Sequence, residues 1–98
     1  MYVIIVGGGN VGRYLTEELV DGNHDVVLIE QDENCADELA TFFGNDALVL
    51  CGDGCDSSIL EEAGISEAKV FVAATGSDDT NLVSCEIASR VFDVDRAI

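Results

Sequence analysis

The residues with the clearest chemical potential form one short run, Gly7-Gly8-Gly9-Asn10-Val11-Gly12. The spacing Gly7-x-Gly9-x-x-Gly12 suits a turn between a buried strand and a helix that receives a pyrophosphate. A missing side chain permits the tight turn at the first position and close approach of a phosphate at the second. At the third it lets the helix pack against the strand. The free N–H groups and positive dipole end of that helix then face the anion. Glu30 follows a second apolar run, 18 residues beyond Gly12, where a carboxylate accepts hydrogen bonds from both ribose hydroxyls. Gln31-Asp32-Glu33 comes next and offers no arginine for a 2′-phosphate. The pattern predicts an adenine-nucleotide site, NAD(H) first, with ATP or ADP as alternatives because they carry the same ribose hydroxyls.

Other polar residues have two readings each. Arg13, in the first turn after the glycine run, would reach a phosphate or pair with an acid such as Glu17. Asp53 stands where the adenine end should rest, yet Gly52-Asp53-Gly54 is equally a turn. Thr75-Gly76 ends a fourth apolar run, beside the crevice expected where the strand order reverses. Ser77 or Asp78 is expected to cap the next helix. His24 reads as a solvated turn residue. Cysteines occur at 35, 51, 55 and 85. Cys51 and Cys55 are spaced C-x3-C without a second pair, so small apolar packing is expected ahead of a redox role or a metal. No nucleophile–base arrangement is found, and no acid/base is placed for hydride transfer.

Buried strands and helices must position these groups. Val3-Ile4-Ile5-Val6, Val26-Val27-Leu28-Ile29, Ala47-Leu48-Val49-Leu50 and Val70-Phe71-Val72-Ala73-Ala74 are continuous apolar runs, as in strands of a parallel sheet buried on both faces. Between them lie apolar stripes at helical spacing: Val11, Leu15 and Leu19; Ala36, Leu39, Ala40 and Phe43; Ile59, Leu60 and Ala63; Leu82, Cys85, Ala88 and Phe92. Gly22, Gly44 and Gly64 follow the first three, where a left-handed residue is expected. The order βαβαβαβα with right-handed crossovers predicts an α/β, Rossmann-like doubly wound parallel sheet. Asp95-Arg96-Ala97-Ile98 stands where a fifth strand would start. The expectation is one domain over residues 1–98, truncated after the fourth helix and belonging to a longer protein.

Composition narrows the partners. Twenty acidic residues face four basic ones, a net charge of −16. That disfavours nucleic acid, whose binding depends on Lys and Arg at phosphates. The acids are dispersed and Lys69 is the sole lysine, which favours adaptation to a salt-rich cytoplasm over an ordinary acidic protein. No apolar run is long enough to span a bilayer, and no basic segment precedes the first strand. A cytoplasmic domain with no direct membrane insertion is expected.

The chain resembles the TrkA-N family, also described as KTN or RCK-type domains, which regulate potassium transporters and channels. The resemblance rests on Tyr2 to Leu15, Val26 to Glu30, Gly52-Asp53-Gly54, Leu60-Glu61-Glu62-Ala63-Gly64-Ile65 and Ala74 to Asn81. The Leu60–Ile65 run and the Thr-x-x-Asp-x-x-Asn pattern from Thr75 to Asn81 are its most particular parts. It implies nucleotide contacts at Gly7 to Val11, Glu30, Thr75 and Gly76, and further strands with a dimerising helix and another ligand contact beyond Ile98. It also implies a membrane potassium transporter or channel subunit as partner, peripheral attachment through it, and a homo-oligomer in the full-length protein. A non-enzymatic regulatory module is therefore expected. The alternative is the cofactor half of an NAD-dependent oxidoreductase.

Overall fold

The computed structural model describes residues 1–98. Its elements are β1 (Tyr2–Val6), α1 (Asn10–Asp21), β2 (Asp25–Glu30), α2 (Glu33–Phe43), β3 (Leu48–Cys51), α3 (Ser57–Glu62), a 3-10 turn (Ile65–Glu67), β4 (Val70–Ala73), α4 (Asp78–Arg90) and β5 (Arg96–Ala97). All strand pairings are parallel and the sheet order is β3-β2-β1-β4-β5, the doubly wound arrangement expected. The fifth strand starts where the sequence pattern placed it, Arg96 and Ala97 pairing with Val70 and Phe71, so the sheet does not stop at the fourth helix.

Alternate residues of each strand feed opposite layers. Val3, Ile5, Val26 and Leu28 pack under α1 and α2 with Leu39 and Phe43. Ile4, Val6, Val27, Ile29 and Phe71 pack against Leu60 of α3, Ala63 at its C-cap and Ala88 of α4. The two central strands, β1 and β2, thus carry the double burial that continuous apolar runs require. β3 does not: it is the sheet's edge, and Leu48 is 52% exposed.

Leu15, Leu19, Cys85, Ala88 and Phe92 of the first and fourth helical stripes pack on the core as expected, but the stripes' first members do not. Val11 is 62% and Leu82 65% exposed, while the buried positions are Gly12 and Thr16 in α1 and Ser84 and Ala88 in α4. These small residues let both helices approach the sheet closely, and packing overrides the hydrophobic count. The two buried hydroxyls are satisfied by the chain itself: Thr16 donates to the Gly12 carbonyl and Ser84 to that of Asn81. Gly44 and Gly64 take positive φ as expected, but Gly22 does not; Asn23, at φ 65°, makes the left-handed turn instead.

Candidate functional site

A cleft of about 270 Å³ opens at the carboxyl ends of the strands, where β1 and β4 send their chains to opposite faces. Of the expected residues, Gly7, Gly8, Gly9, Glu30, Gln31, Asp53, Thr75 and Gly76 line it. Asn10, Val11 and Gly12 do not: Asn10 and Val11 are exposed in the first turn of α1, and Gly12 is buried beneath it. The three motif glycines answer to different constraints. Gly7 has φ +108°, and a Cβ there would stand 2.6 Å from the Ala74 carbonyl oxygen. A Cβ on Gly12 would overlap the Gly7 carbonyl, whereas one on Gly9 would meet nothing within 4 Å. Folding therefore requires glycine at the first and third positions, and the second faces open space.

Glu30 spans from the end of β2 to the glycine loop. Its Oε1 accepts from Gly8 N–H and its Oε2 from Asp32 N–H, both at 2.7 Å. The carboxylate braces the loop as well as facing the cleft. Asp32, Asp56 and Ser77 cap α2, α3 and α4 with their side chains, Ser77 being the one of the two expected cap residues that does so. α1 begins at Gly9 with no side-chain cap, so its first-turn N–H groups have no such acceptor.

The opposite wall is held by a residue to which sequence reasoning assigned no role. Asn81, one turn into α4, accepts from Thr75 N–H at 3.0 Å and donates to the Thr75 carbonyl at 3.1 Å. Its signal was the family-specific Thr-x-x-Asp-x-x-Asn spacing, which brings Thr75 and Asn81 together. Gly52, Gly54 and Thr80 also line the cleft. Gly54 packs where a Cβ would strike Val6, so this loop lies directly on the β1 core residue.

The remaining candidates resolve as follows. Arg13 forms no ion pair with Glu17; its guanidinium lies 4.1 Å over the Phe42 ring, joining α1 to α2. Asp53 acts in its turn, accepting from Cys55 N–H at 2.9 Å, and also lines the cleft. Thiols reach backbone carbonyls around the site: Cys35 to Gly8, Cys51 to Gln31 and Cys55 to Thr80, each at 3.7 Å. Burial pushes the Cys35, Cys55 and Cys85 thiols up, with the Glu30 and Asp53 charges adding to the first two, so the reactive thiolate is disfavoured. No three His, Cys, Asp or Glu side chains converge as metal ligands. His24 is half-buried against the chain's N-terminal amine, 3.2 Å from its Nδ1. No helix is long and apolar enough to cross a membrane.

Comparison with known proteins follows the same lines. The TrkA-N domain family matches residues 3–98. A Trk system potassium uptake protein TrkA homolog of Methanothermobacter thermautotrophicus is 50% identical over 99 residues, covering 100% of this chain and 44% of that protein. The Trk system potassium uptake protein TrkA of Mycobacterium tuberculosis is 40% identical over 98 residues, covering 100% of this chain and 43% of the relative. The chain spans less than half the length of these curated relatives. Among solved structures, the AMP-bound form of the Shewanella denitrificans Kef CTD aligns with TM-score 0.82 and 24% identity over 99% of this chain and 57% of that one. A putative short chain dehydrogenase/reductase of Aeromonas hydrophila aligns with TM-score 0.72 and 19% identity, covering 93% of this chain and 52% of its own. Both share the fold. The family match spans nearly the whole chain, and with the 50% identical relative it establishes that this chain belongs to the TrkA-N family.

Proposed function

We propose that this chain is a nucleotide-sensing regulatory domain of a potassium-uptake system, with NAD(H) as its ligand. The observation that carries the reading is the start of α1: Gly9 leaves it without a side-chain cap beside a cleft whose facing residue is Glu30. A pyrophosphate over Gly7, Gly8 and Gly9 would supply the missing acceptors, with Asn10 and Val11 contributing N–H groups and Gly12 packing beneath. Each Glu30 oxygen already accepts one backbone N–H and keeps lone-pair capacity for a ribose hydroxyl. Gln31 and Asp53 would flank the adenosine, and Thr75 with Gly76 would close the opposite wall. ATP, ADP and AMP offer the same ribose and stand as alternative ligands; AMP is what the Shewanella domain of this fold carries.

Sensing, not turnover, is the role that fits. The ionisable side chains lining the cleft are Glu30 and Asp53, and both accept from backbone N–H groups. The names of the relatives point to a membrane potassium transporter as partner. We assign this domain to the cytoplasmic side of that transporter, within a homo-oligomeric full-length regulator.

Calorimetric titration in high salt tests the ligand. NAD(H) should bind at least tenfold more tightly than NADP(H), about 1.4 kcal/mol, because the 2′-phosphate would face Glu30. Glu30→Ala should narrow that ratio. Equal affinities in the parent protein would overturn the assignment.

The charge points to a salt-rich cytoplasm. One ion pair, Arg90 with Glu86, is all that offsets the acids locally, and it is exposed. The melting temperature should rise markedly from about 0.1 M to multimolar KCl as the self-repulsion is screened. A flat profile would reject halophilic adaptation.

A further inference from the structure

Asn81 holds one residue with both ends of its side-chain amide. Its Oδ1 accepts from Thr75 N–H at 3.0 Å and its Nδ2 donates to the Thr75 carbonyl at 3.1 Å. Those two backbone groups fix the amide's orientation: turned over, it would set donor against donor and acceptor against acceptor. With Oδ1 so placed, the Thr75 hydroxyl 2.6 Å away must be the donor of that contact, because an amide oxygen carries no proton. The competing acceptor, the Ser77 carbonyl at 3.1 Å, belongs to the same loop. Either way the single hydroxyl proton stays inside the β4–α4 connection. Thr75 Oγ1 also accepts from Ser77 N–H at 3.1 Å, which leaves it one lone pair.

We infer that Asn81 is a positioning residue that sets the polarity of this wall of the cleft. Thr75 lines the cleft, and by this inference its one remaining lone pair is the acceptor it offers there. It suits a ligand hydroxyl or amine and is wrong for a phosphate oxygen, so phosphates are directed to the open end of α1. The inference rests on the nucleotide reading above.

The test compares ADP, which carries hydroxyl and amine donors, with inorganic pyrophosphate, whose ionised oxygens only accept. Thr75→Val should lower the ratio of ADP to pyrophosphate affinity about fivefold, the worth of one neutral hydrogen bond, and Thr75→Ser should restore it. A Thr75→Val variant that weakens pyrophosphate as much as ADP would overturn the polarity, since the hydroxyl would then be a phosphate donor.

Asn81→Ala should lower the same ratio, and should speed amide exchange at Thr75 more than about tenfold while β1 amides stay unchanged. Unaltered exchange at Thr75 would overturn the positioning role. Should that variant fail to fold, Asn81→Asp keeps the acceptor but loses the donor to the Thr75 carbonyl, and a ratio equal to the parent's would overturn it. A parent protein that binds neither ligand would overturn the nucleotide reading instead, and the exchange at Thr75 would still decide the role of Asn81.

Discussion

α1 and α2 follow neighbouring parallel strands and pack on the same face of the sheet, yet their N-termini are finished in opposite ways. α2 is closed by its own carboxylate: Asp32 Oδ1 accepts from Asn34 and Cys35 N–H at 2.9 and 3.2 Å, and Glu33 adds a negative charge in the first turn. α1 starts at a glycine, has no side-chain cap and carries no acid in its first turn. In a chain with 20 acidic residues, the helix that most needs an anion is the one denied it. A self-sufficient helix end stabilises the fold alone. An open end beside a cleft exchanges a little stability for the capacity to take a ligand's charge, and the two helices show both solutions one strand apart.

The comparison is broken most severely at the glycines beneath the open end. Gly12→Ala would drive a Cβ into the Gly7 carbonyl, backbone against backbone, where no side chain can yield. A loss of about 3 kcal/mol or more is expected in denaturant unfolding. Gly9→Ala, three residues earlier in the same motif, should leave the unfolding free energy within about 0.5 kcal/mol, because the Cβ meets open space and φ is −74°. Nucleotide affinity should nonetheless fall, since the new methyl occupies the approach to the backbone. A Gly9→Ala protein that binds as tightly as its parent would mean that phosphates do not approach there.

Exchanging the two caps sharpens the contrast. Gly9→Asp gives α1 the cap that α2 has; N-terminal glycine is only a few tenths of a kcal/mol worse than aspartate, so stability should barely move. Nucleotide affinity should drop about a hundredfold, as a fixed carboxylate meets the phosphates (about 2.7 kcal/mol). Asp32→Ala should do the reverse, costing about 1 kcal/mol of stability with a smaller effect on binding. If both variants changed stability and affinity in parallel, the distinction between an open and a closed helix end would have no functional content.

The parts of this fold that were legible in the sequence are those where one physical requirement dominates. Continuous runs such as Ile4 to Val6 and Val27 to Ile29 are buried on both faces, and the glycine spacing can be met only at a close-packed turn. Legibility failed where several solutions share one pattern. Val11 and Leu82 fit a helical stripe, but beside the expected Gly12 and Ala88 the sheet is approached through Thr16 and Ser84, whose burial is invisible to a hydrophobicity count. β3 has the composition of a central strand and lies at the edge. Arg13 lies over an aromatic ring instead of pairing with an acid, a contact that depends on how α2 lies beside α1. In the site, the glycine loop, Glu30 and Thr75 were found from residue type and spacing, whereas the bond from Gly8 to Glu30 and the clamp of Asn81 on Thr75 are side-chain contacts that needed the packed structure.

The smallest expected effect is at the start of α3, the second helix end closed by its own carboxylate. Asp56 Oδ1 accepts from the N–H and the hydroxyl of Ser58, and these bonds, the hydroxyl's foremost, hold its carboxyl below the usual range. A carboxyl whose folded-state pKa is depressed contributes stability above its unfolded pKa and loses it as pH falls through the folded one. Asp56→Asn keeps an acceptor at the cap and removes only the charge, so the melting temperature should drop slightly at pH 7. Removing one acid also relieves self-repulsion, which acts in the opposite direction over a longer range. The comparison therefore belongs in about 1 M salt, where the screening length is about 3 Å and the direct bonds to Ser58 survive. Under those conditions the gap between parent and variant should close as the pH is lowered through the depressed folded-state pKa and the carboxyl is protonated. A gap that persists with the carboxyl protonated would show that the geometry of the cap, and not its charge, closes α3.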